Sequence, residues 1–247
     1  MADWIEATVT DRREWSPGLI SLYFDAGLPA FKAGQFVRVG LDLEGERVAR
    51  PYSLVNAPGE RPAEILFNVV PEGPLSPRLA ELAPGDRLWI GPQANGFLVL
   101  DEIPDADSLW LLATGTGLGP FLSILKTQQP WQRFGRVVLV HSTGTAAGLT
   151  HTGLLERLQA EHPDRFRWLP TLTRERRPGM LDARIPALIE SGRLEAAADT
   201  PLAPDSAHVM LCGNSAMIAD TTAVLEARGM KRHRRRDPGH ITVEKYH

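Results

Sequence analysis

The chain has little cysteine, no long apolar run and no excess of basic charge, and each shortage excludes a class of protein. Its single cysteine, Cys212, leaves no partner for an internal disulfide and too few thiolates for an iron–sulfur cluster or a cysteine zinc site. The longest apolar runs, such as 109–113 and 137–140, are far shorter than the roughly 20 residues that span a bilayer. A formal net charge of -3 gives no global attraction to nucleic acid or anionic lipid. We therefore expect no metal, no nucleic-acid partner and no membrane partner.

Residues 1–20 also lack the apolar block of a secretory signal, because acidic side chains interrupt them. We expect a cytoplasmic protein. What is present is typical of a soluble globular chain: 247 residues, of which 43% are hydrophobic and 23% charged. This length allows one large domain or two of ordinary size.

The first hundred residues are short strand-like runs separated by Gly and Pro, which predicts an antiparallel β-barrel or sandwich. The runs lie at 5–9, 19–24, 36–41, 64–70 and 87–90. One short helix is predicted after Gly73-Pro74-Leu75, with Ser76 as its N-cap and Pro77 at its first position. Its free amides could bind an anion, or the helix could simply close the barrel.

An acidic, Pro-bearing stretch at 101–107 marks a predicted domain boundary, so we assign residues 1–100 and 101–247 to separate domains. Beyond it, continuous apolar runs alternate with helical patterns, which predicts a parallel sheet covered on both faces. The predicted strands are 109–113, 137–141, 166–172 and 208–212, and the helices are 121–126, 154–161, 184–190 and 215–228. Residues 196–198 could be a loop or a helix end.

The tetrapeptide Arg50-Pro51-Tyr52-Ser53 places three useful side chains on one extended segment. An Arg can pair with a pyrophosphate, a Tyr can lie on an aromatic ring face and a Ser can reach a ring nitrogen, as a flavin requires. An edge strand that ends in a turn is the alternative interpretation.

Two further motifs follow predicted strands. Thr114–Pro120 is a GxGxG loop that opens a helix, so its backbone can approach a phosphate. About twenty residues later His141 and Ser142 stand where a Rossmann fold carries a ribose-binding acid, which argues against an ordinary NAD dehydrogenase. Cys212-Gly213-Asn214 leaves the last strand as a helix begins, and its thiol could serve chemistry or plain packing.

These motifs together resemble the ferredoxin–NADP reductase family in order and spacing. They are Arg50-Pro51-Tyr52-Ser53, Gly73-Pro74-Leu75-Ser76, Thr114–Pro120 and Cys212-Gly213-Asn214. The ending from Arg232 to His247 is similar to the bacterial branch that serves ferredoxin and flavodoxin. The resemblance covers the whole chain and implies an antiparallel β-barrel FAD-binding domain, then an α/β parallel-sheet NADP-binding domain, with the isoalloxazine at their junction.

The resemblance also implies roles for individual residues on the flavin side. Arg50 would meet the FAD pyrophosphate, Tyr52 would lie against the flavin, and Ser53 would bond near its N5. The catalytic set is Ser53, Cys212, Glu244 and Tyr246, with Tyr246 as the gate that admits nicotinamide. The implied FAD-binding set is Arg50, Pro51, Tyr52, Ser53, Phe67, Pro74, Leu75, Ser76, Thr116, Tyr246 and His247. Phe67 could equally be a core aromatic, and His247 stacks on adenine less well than Trp.

On the nicotinamide side, Arg174 and Arg184 match the positions that pair with the 2′-phosphate of NADP(H). Gly144 stands where some relatives carry another Arg, so discrimination against NADH could be weaker here. The implied NADP-binding set is Thr114, Gly115, Thr116, Gly117, Ser142, Thr143, Thr173, Arg174, Arg184, Gly213 and Asn214.

The implied activity is an FAD-dependent exchange of electrons between NADPH and a one-electron carrier, ferredoxin or flavodoxin. The basic run Lys231–Arg236 could be a nucleic-acid patch or a solvated loop, but beside an acidic background we interpret it as the docking surface for that carrier. The alternatives to a carrier reductase are a nucleotide sensor with this fold, a reductase of free flavin and an oxygenase reductase subunit. We expect a monomer.

Overall fold

The computed structural model describes residues 3–245, and these form two compact units. The described part of unit 1 is residues 3–99 together with Gly119–Thr127. The described part of unit 2 is Leu100–Leu118 together with residues 128–245.

Unit 1 is built on an antiparallel sheet with the strand order β4-β3-β6-β1-β2-β5. The strands are β1 Ile5–Ser16, β2 Leu19–Asp25, β3 Phe36–Leu43, β4 Glu46–Ser53, β5 Ala63–Asn68 and β6 Arg87–Asn95. Apolar side chains such as Leu22, Val39 and Ile65 are fully buried in its core, because alternate residues of each strand face inward. This arrangement is the antiparallel part of the predicted fold class.

Two helices belong to this unit: α1, Ser76–Glu81, and α2, Leu118–Leu125, apart from its first residue. The prediction that Ser76 is the N-cap of α1 is wrong. Leu75 occupies the cap position without a side-chain hydrogen bond, and Ser76 is the first helical residue. Its hydroxyl instead accepts the Val70 N–H at 2.9 Å, which closes the loop that leads into the helix.

Unit 2 is built on a parallel sheet with the strand order β11-β10-β7-β8-β9. Its strands are β7 Ser108–Thr114, β8 Arg136–Thr143, β9 Phe166–Leu172, β10 Ala207–Gly213 and β11 Ile241–Lys245. Its helices are α3 Gln129–Arg133, α4 Thr152–Glu161, α5 Ile185–Glu190, α6 Arg193–Ala198 and α7 Ser215–Ala227. Both units confirm the predicted fold class, and residues 196–198 end a helix.

The central strands β7, β8 and β10 are buried along almost their whole length, so their sequences are mainly apolar, whereas the edge strands β9 and β11 are partly exposed. Trp110, Leu112, Val140 and Leu211 are fully buried in one cluster. None of the helices in residues 3–245 combines the length and apolar character needed to cross a bilayer. Across the same residues, no group of three or more His, Cys, Asp or Glu side chains is arranged to hold a metal ion.

Candidate functional site

The end of β4 carries the predicted flavin residues of unit 1. Arg50 is exposed, and its Nη1 donates to the Ala49 carbonyl at 2.9 Å. The half-buried Tyr52 ring meets Phe67 edge to face at 5.7 Å between centroids. Burial raises the pKa of Tyr52 to about 12, so its phenol stays neutral. The strand therefore offers an exposed cation and a neutral aromatic ring close together along the chain.

Ser53 is buried, and the backbone that follows it is held on two sides. The Val55 N–H donates to the Glu64 carbonyl at 2.9 Å, and the Asn56 side chain accepts the Glu64 N–H at 3.1 Å. On the other side, Ser123 of α2 donates to the Asn56 carbonyl at 2.7 Å. These bonds fix the position of Ser53, as a residue that must meet one ring atom requires.

The other predicted FAD residues of unit 1 divide into buried and exposed positions. Leu75 and Ser76 are buried, whereas Pro74 and Pro51 are exposed. Phe67 is 3% exposed and packs in the core of unit 1. It supports the Tyr52 ring through the edge contact, and a direct contact of Phe67 with FAD stays a prediction.

The predicted nucleotide residues of unit 2 meet at the carboxyl edge of the parallel sheet. Thr114, the last residue of β7, pairs with Ser142 of β8, and Cys212 of β10 pairs with Ala113. Thr173, just beyond β9, donates its N–H to the Thr143 carbonyl at 3.0 Å. Ligands of open parallel sheets bind beyond this edge, so the strand order brings together residues that lie far apart in sequence.

Two glycines at this edge have no room for a side chain. Gly117 lies so close to the Cys212 carbonyl that an added Cβ would overlap it. Gly213 has φ 140°, and an added Cβ would overlap the Thr114 hydroxyl. Asn214 then caps α7 by accepting the Met217 N–H at 2.8 Å, and its own N–H donates to Thr114 Oγ1 at 3.2 Å. The loop after β7 and the loop after β10 are thus packed directly on each other.

Cys212 and Glu244 are cross-strand neighbours on β10 and β11. Cys212 is fully buried. Glu244 Oε1 is buried without a hydrogen-bond partner among the described residues, and burial raises the pKa of this carboxyl to about 7. The pair therefore places a group that can hold or release a proton near neutral pH beside a thiol. Tyr246 and His247 lie outside the described residues, so their predicted roles stay predictions.

Arg174 and Arg184 are exposed, and neither guanidinium forms an ion pair within residues 3–245. The Arg174 N–H donates to the Gly144 carbonyl at 2.8 Å, and the Arg174 side chain passes above this glycine. Arg184 occupies the N-cap position of α5 without a side-chain hydrogen bond to the helix. Arg174 is thus tied to the carboxyl edge, whereas no side-chain hydrogen bond in the described part of the chain ties Arg184 to it.

The residues present fit the two groups that the sequence predicted. The β4 segment offers a guanidinium, a ring and a hydroxyl, as the pyrophosphate and isoalloxazine of FAD require. The edge of unit 2 offers two glycine loops packed on each other beyond the strand ends, and an Arg174 guanidinium without an ion pair in residues 3–245, as a dinucleotide with a 2′-phosphate requires.

Comparisons with protein families match two successive parts of the chain. Residues 7–96 match the oxidoreductase FAD-binding domain, and residues 111–223 match the oxidoreductase NAD-binding domain. The fold, the two sites and these matches define a class: an oxidoreductase in which an FAD-binding domain precedes an NAD-binding domain.

Full-length relatives narrow the class. The chain is 47% identical to a flavodoxin/ferredoxin–NADP reductase of Shigella flexneri and 46% identical to one of Escherichia coli strain K12, each over all of both chains. A crystal structure of a ferredoxin NADP+ reductase from Neisseria gonorrhoeae with bound FAD and NADP superimposes with a TM-score of 0.94 at 34% identity, over 99% of each chain. The chain belongs to the flavodoxin/ferredoxin–NADP reductase family.

Proposed function

We propose that this protein is an FAD-dependent oxidoreductase that exchanges electrons between NADPH and a one-electron carrier, ferredoxin or flavodoxin. The observation that carries the proposal is the 47% identity to a flavodoxin/ferredoxin–NADP reductase over the whole chain. When bound, FAD supplies the chemistry, since flavin accepts a hydride and releases electrons singly. The protein supplies binding, orientation and proton control.

On the flavin side, Arg50 pairs with the pyrophosphate because its guanidinium is exposed and can form two parallel bonds to a phosphate. Tyr52 offers a neutral ring held at its edge by Phe67. Ser53 donates its hydroxyl to a flavin ring nitrogen from a backbone fixed by the Asn56 and Val55 bonds. Leu75 and Ser76 complete the contacts near the phosphates.

On the nicotinamide side, the dinucleotide lies against the turn Gly115–Gly117 at the carboxyl edge of the sheet, where this turn is packed on the loop at Gly213. Cys212 is buried near the end of β10, at the same edge. Glu244 holds or releases a proton at Oε1, which has no hydrogen-bond partner among residues 3–245, since the pKa of about 7 leaves both forms available near neutral pH. Thr114, Ser142, Thr143, Thr173 and Asn214 line the same edge.

Preference for NADPH rests on Arg174 and Arg184, which have unpaired guanidiniums in residues 3–245. Gly144 lies next to the Arg174 side chain but has no side chain that could add a third positive charge. We therefore propose that the protein prefers NADPH, by a smaller factor than a relative with Arg at this position.

The test is the visible spectrum of the purified protein before and after anaerobic addition of NADPH or NADH. We expect a flavin spectrum that survives gel filtration and bleaches faster with NADPH. A protein that loses its flavin on the column would point to a reductase of free flavin. A bound flavin that stays oxidised with NADPH would point to a nucleotide sensor, and either result would contradict the proposal.

The basic run Lys231–Arg236 carries less free charge than its sequence indicates. Lys231 Nζ pairs with Asp237 at 2.7 Å, and Arg235 forms a two-pronged pair with Glu102 at 2.6 Å. Arg234 and Arg236 form no ion pair with any described residue. We propose that these two arginines dock an acidic carrier protein. A monomeric state and a cytoplasmic location stay predictions.

A further inference from the structure

His141 is a fully buried histidine at the carboxyl edge of unit 2 that has no part in the proposed chemistry. It lies on β8, paired with Ala113 of β7, and its Nε2 is 3.1 Å from the Gly115 carbonyl oxygen. A carbonyl can only accept a hydrogen bond, so Nε2 carries the proton. The ring is therefore a donor aimed at the first residue of the glycine loop.

The ring is also held in its neutral form. Burial lowers the pKa of His141 to about 4, the bond to Gly115 opposes this shift, and the nearby His151 adds to it. The donor tautomer thus persists throughout the physiological pH range. Its Nδ1 is buried without a partner among the described residues, which costs free energy that an apolar side chain of similar size would avoid.

Gly115 is the residue where the loop changes direction. It adopts φ 53°, and its carbonyl accepts a second bond from the Leu118 N–H, which closes the turn Gly115–Gly117. On its other side the loop packs against β10, where Gly117 touches the Cys212 carbonyl. On the β8 side, the His141 side chain holds the loop through its hydrogen bond to the Gly115 carbonyl.

We infer that His141 is a positioning residue, which orients the Gly115 peptide and thereby the loop that places the nicotinamide of NADPH. This inference rests on the proposed function. It accounts for the presence of a half-satisfied imidazole directly after four apolar residues of β8, because the bond to Gly115 is a contribution that Leu or Val could not make. Because the bond fixes the direction of the loop and His141 itself is fully buried, His141 affects the geometry of hydride transfer more than affinity.

Three variants separate this role from general stability. His141→Leu removes the donor, and His141→Gln can return an N–H to about the same place. His208→Leu is the matched control: His208 is also buried, burial lowers its pKa to about 3, and its Nε2 contacts Thr242 Oγ1 at 2.9 Å. It pairs with Leu109, at the opposite end of the strands from Gly115.

Stopped-flow reduction of the bound flavin by NADPH gives a limiting rate and an apparent Kd for each variant. For His141→Leu we expect the limiting rate to fall roughly threefold to tenfold, the worth of one neutral hydrogen bond, with the Kd changed less than about twofold. His141→Gln should recover most of that loss, and His208→Leu should leave the rate unchanged. A similar loss in His208→Leu, or no loss in His141→Leu, would overturn the inference.

A nitrogen-15 NMR spectrum of the wild-type imidazoles gives a readout that needs no activity. We expect His141 to be the Nε2–H tautomer and not to titrate between about pH 8 and pH 5. A ring that titrates in this range, or an Nδ1–H tautomer, would contradict the inference even if every variant failed to fold. If the wild-type flavin is not reduced by NADPH, the proposed function fails, while the NMR result still tests the loop contact.

Discussion

Glu244 shows at the scale of one residue how burial sets both a proton affinity and a cost in stability. The pKa of its carboxyl is about 7 in the folded chain, against 4.5 for an unperturbed Glu, because burial disfavours the charged form. Between these two values the folded protein binds the proton more tightly than the unfolded chain. Its contribution to stability is present below about pH 4.5 and is lost as the pH rises through 7.

Glu244→Gln should therefore stabilise the protein at pH 8 and have little effect near pH 4.5. The shift sets an upper limit of about 3 kcal/mol on the gain in the free energy of unfolding. Urea unfolding of the FAD-bound protein at both pH values measures it, with the exposed Glu156→Gln as the control. An equal gain at both pH values would show that packing, and not ionisation, explains the change.

The preference for NADPH over NADH gives a second prediction at the residue scale, which concerns Arg174 and Gly144. Arg174→Ala should reduce kcat/KM for NADPH roughly tenfold to a hundredfold, the worth of a hydrogen bond to a charged group, and leave the value for NADH nearly unchanged. Gly144→Arg should raise the NADPH to NADH ratio, because the new guanidinium would lie beside the Arg174 side chain. Arg177→Ala is the control, since Arg177 already pairs with Glu175. Equal losses with both cofactors would contradict the role of Arg174.

At the scale of elements, the loop after β7 depends on glycine for space as much as for backbone freedom. Gly117→Ala would push a Cβ into the Cys212 carbonyl, which is backbone and cannot move aside cheaply. We expect NADPH-driven flavin reduction to slow by at least about tenfold, since displacements near 1 Å at a reacting centre cost this much or more.

Gly153→Ala is the matched control for that substitution. Gly153 lies in α4, and an added Cβ there would approach only the end of the flexible Arg157 side chain. Alanine favours a helix over glycine, so this variant should be unaffected or slightly more stable. The FAD content of both variants should match the wild type; loss of FAD from Gly117→Ala alone would show a wider disruption than the loop explanation allows.

Elements with a strong local pattern were predictable from sequence. The predicted strand 166–172 coincides with β9, because Phe166–Leu172 is a short run bounded by turn residues, although its four middle residues are only partly buried. Strand β11, Ile241–Lys245, was not predicted, since five residues with alternating polar side chains after a charged run give a weak signal. Ser76 failed as an N-cap because its hydroxyl bonds to Val70, a contact that local sequence cannot reveal.

At the scale of the whole molecule, the site could be predicted as motifs but not as contacts. Glycine spacing and strand-end position indicate the loops at Gly115 and Gly213 from sequence alone. That Glu244 is the neighbour of Cys212, and that His141 reaches Gly115, depends on the strand order β11-β10-β7-β8-β9. Nothing in the local sequence specifies this order.

The buried histidines give the whole molecule a predictable response to acid. Burial lowers the pKa of His141 to about 4 and that of His208 to about 3, from 6.5 in an unperturbed imidazole. The unfolded chain binds the protons first, so this contribution to stability is complete above pH 6.5 and is lost as the pH falls towards those values. Glu244 has the opposite effect on stability between about pH 4.5 and pH 7, because there the folded protein binds its proton more tightly than the unfolded chain does.

Between pH 6 and pH 5 the unfolded chain binds about one proton more than the folded protein when both histidines and Glu244 are counted. The free energy of unfolding should therefore fall by about 1 kcal/mol for each unit of decrease in pH. In Glu244→Gln the opposing group is gone, and the slope should roughly double. Chemical unfolding at several pH values in this window measures both slopes. A flat profile for the wild type would mean that the histidines are not held neutral.

The distribution of charge leads to a last prediction, which concerns the encounter with the carrier protein. The whole chain carries a formal net charge of -3, so attraction to an acidic partner must come from a local patch. Lys231, Arg232 and Arg235 already form ion pairs inside unit 2, so Arg234 and Arg236 are the arginines of this run without one among residues 3–245. Replacing both by Gln should lower the kcat/KM for ferredoxin or flavodoxin several-fold at low salt and flatten its dependence on ionic strength. Lys231→Gln should do less, and the rate of flavin reduction by NADPH should be unchanged in every case. If the double variant keeps the salt dependence of the wild type, the carrier docks elsewhere.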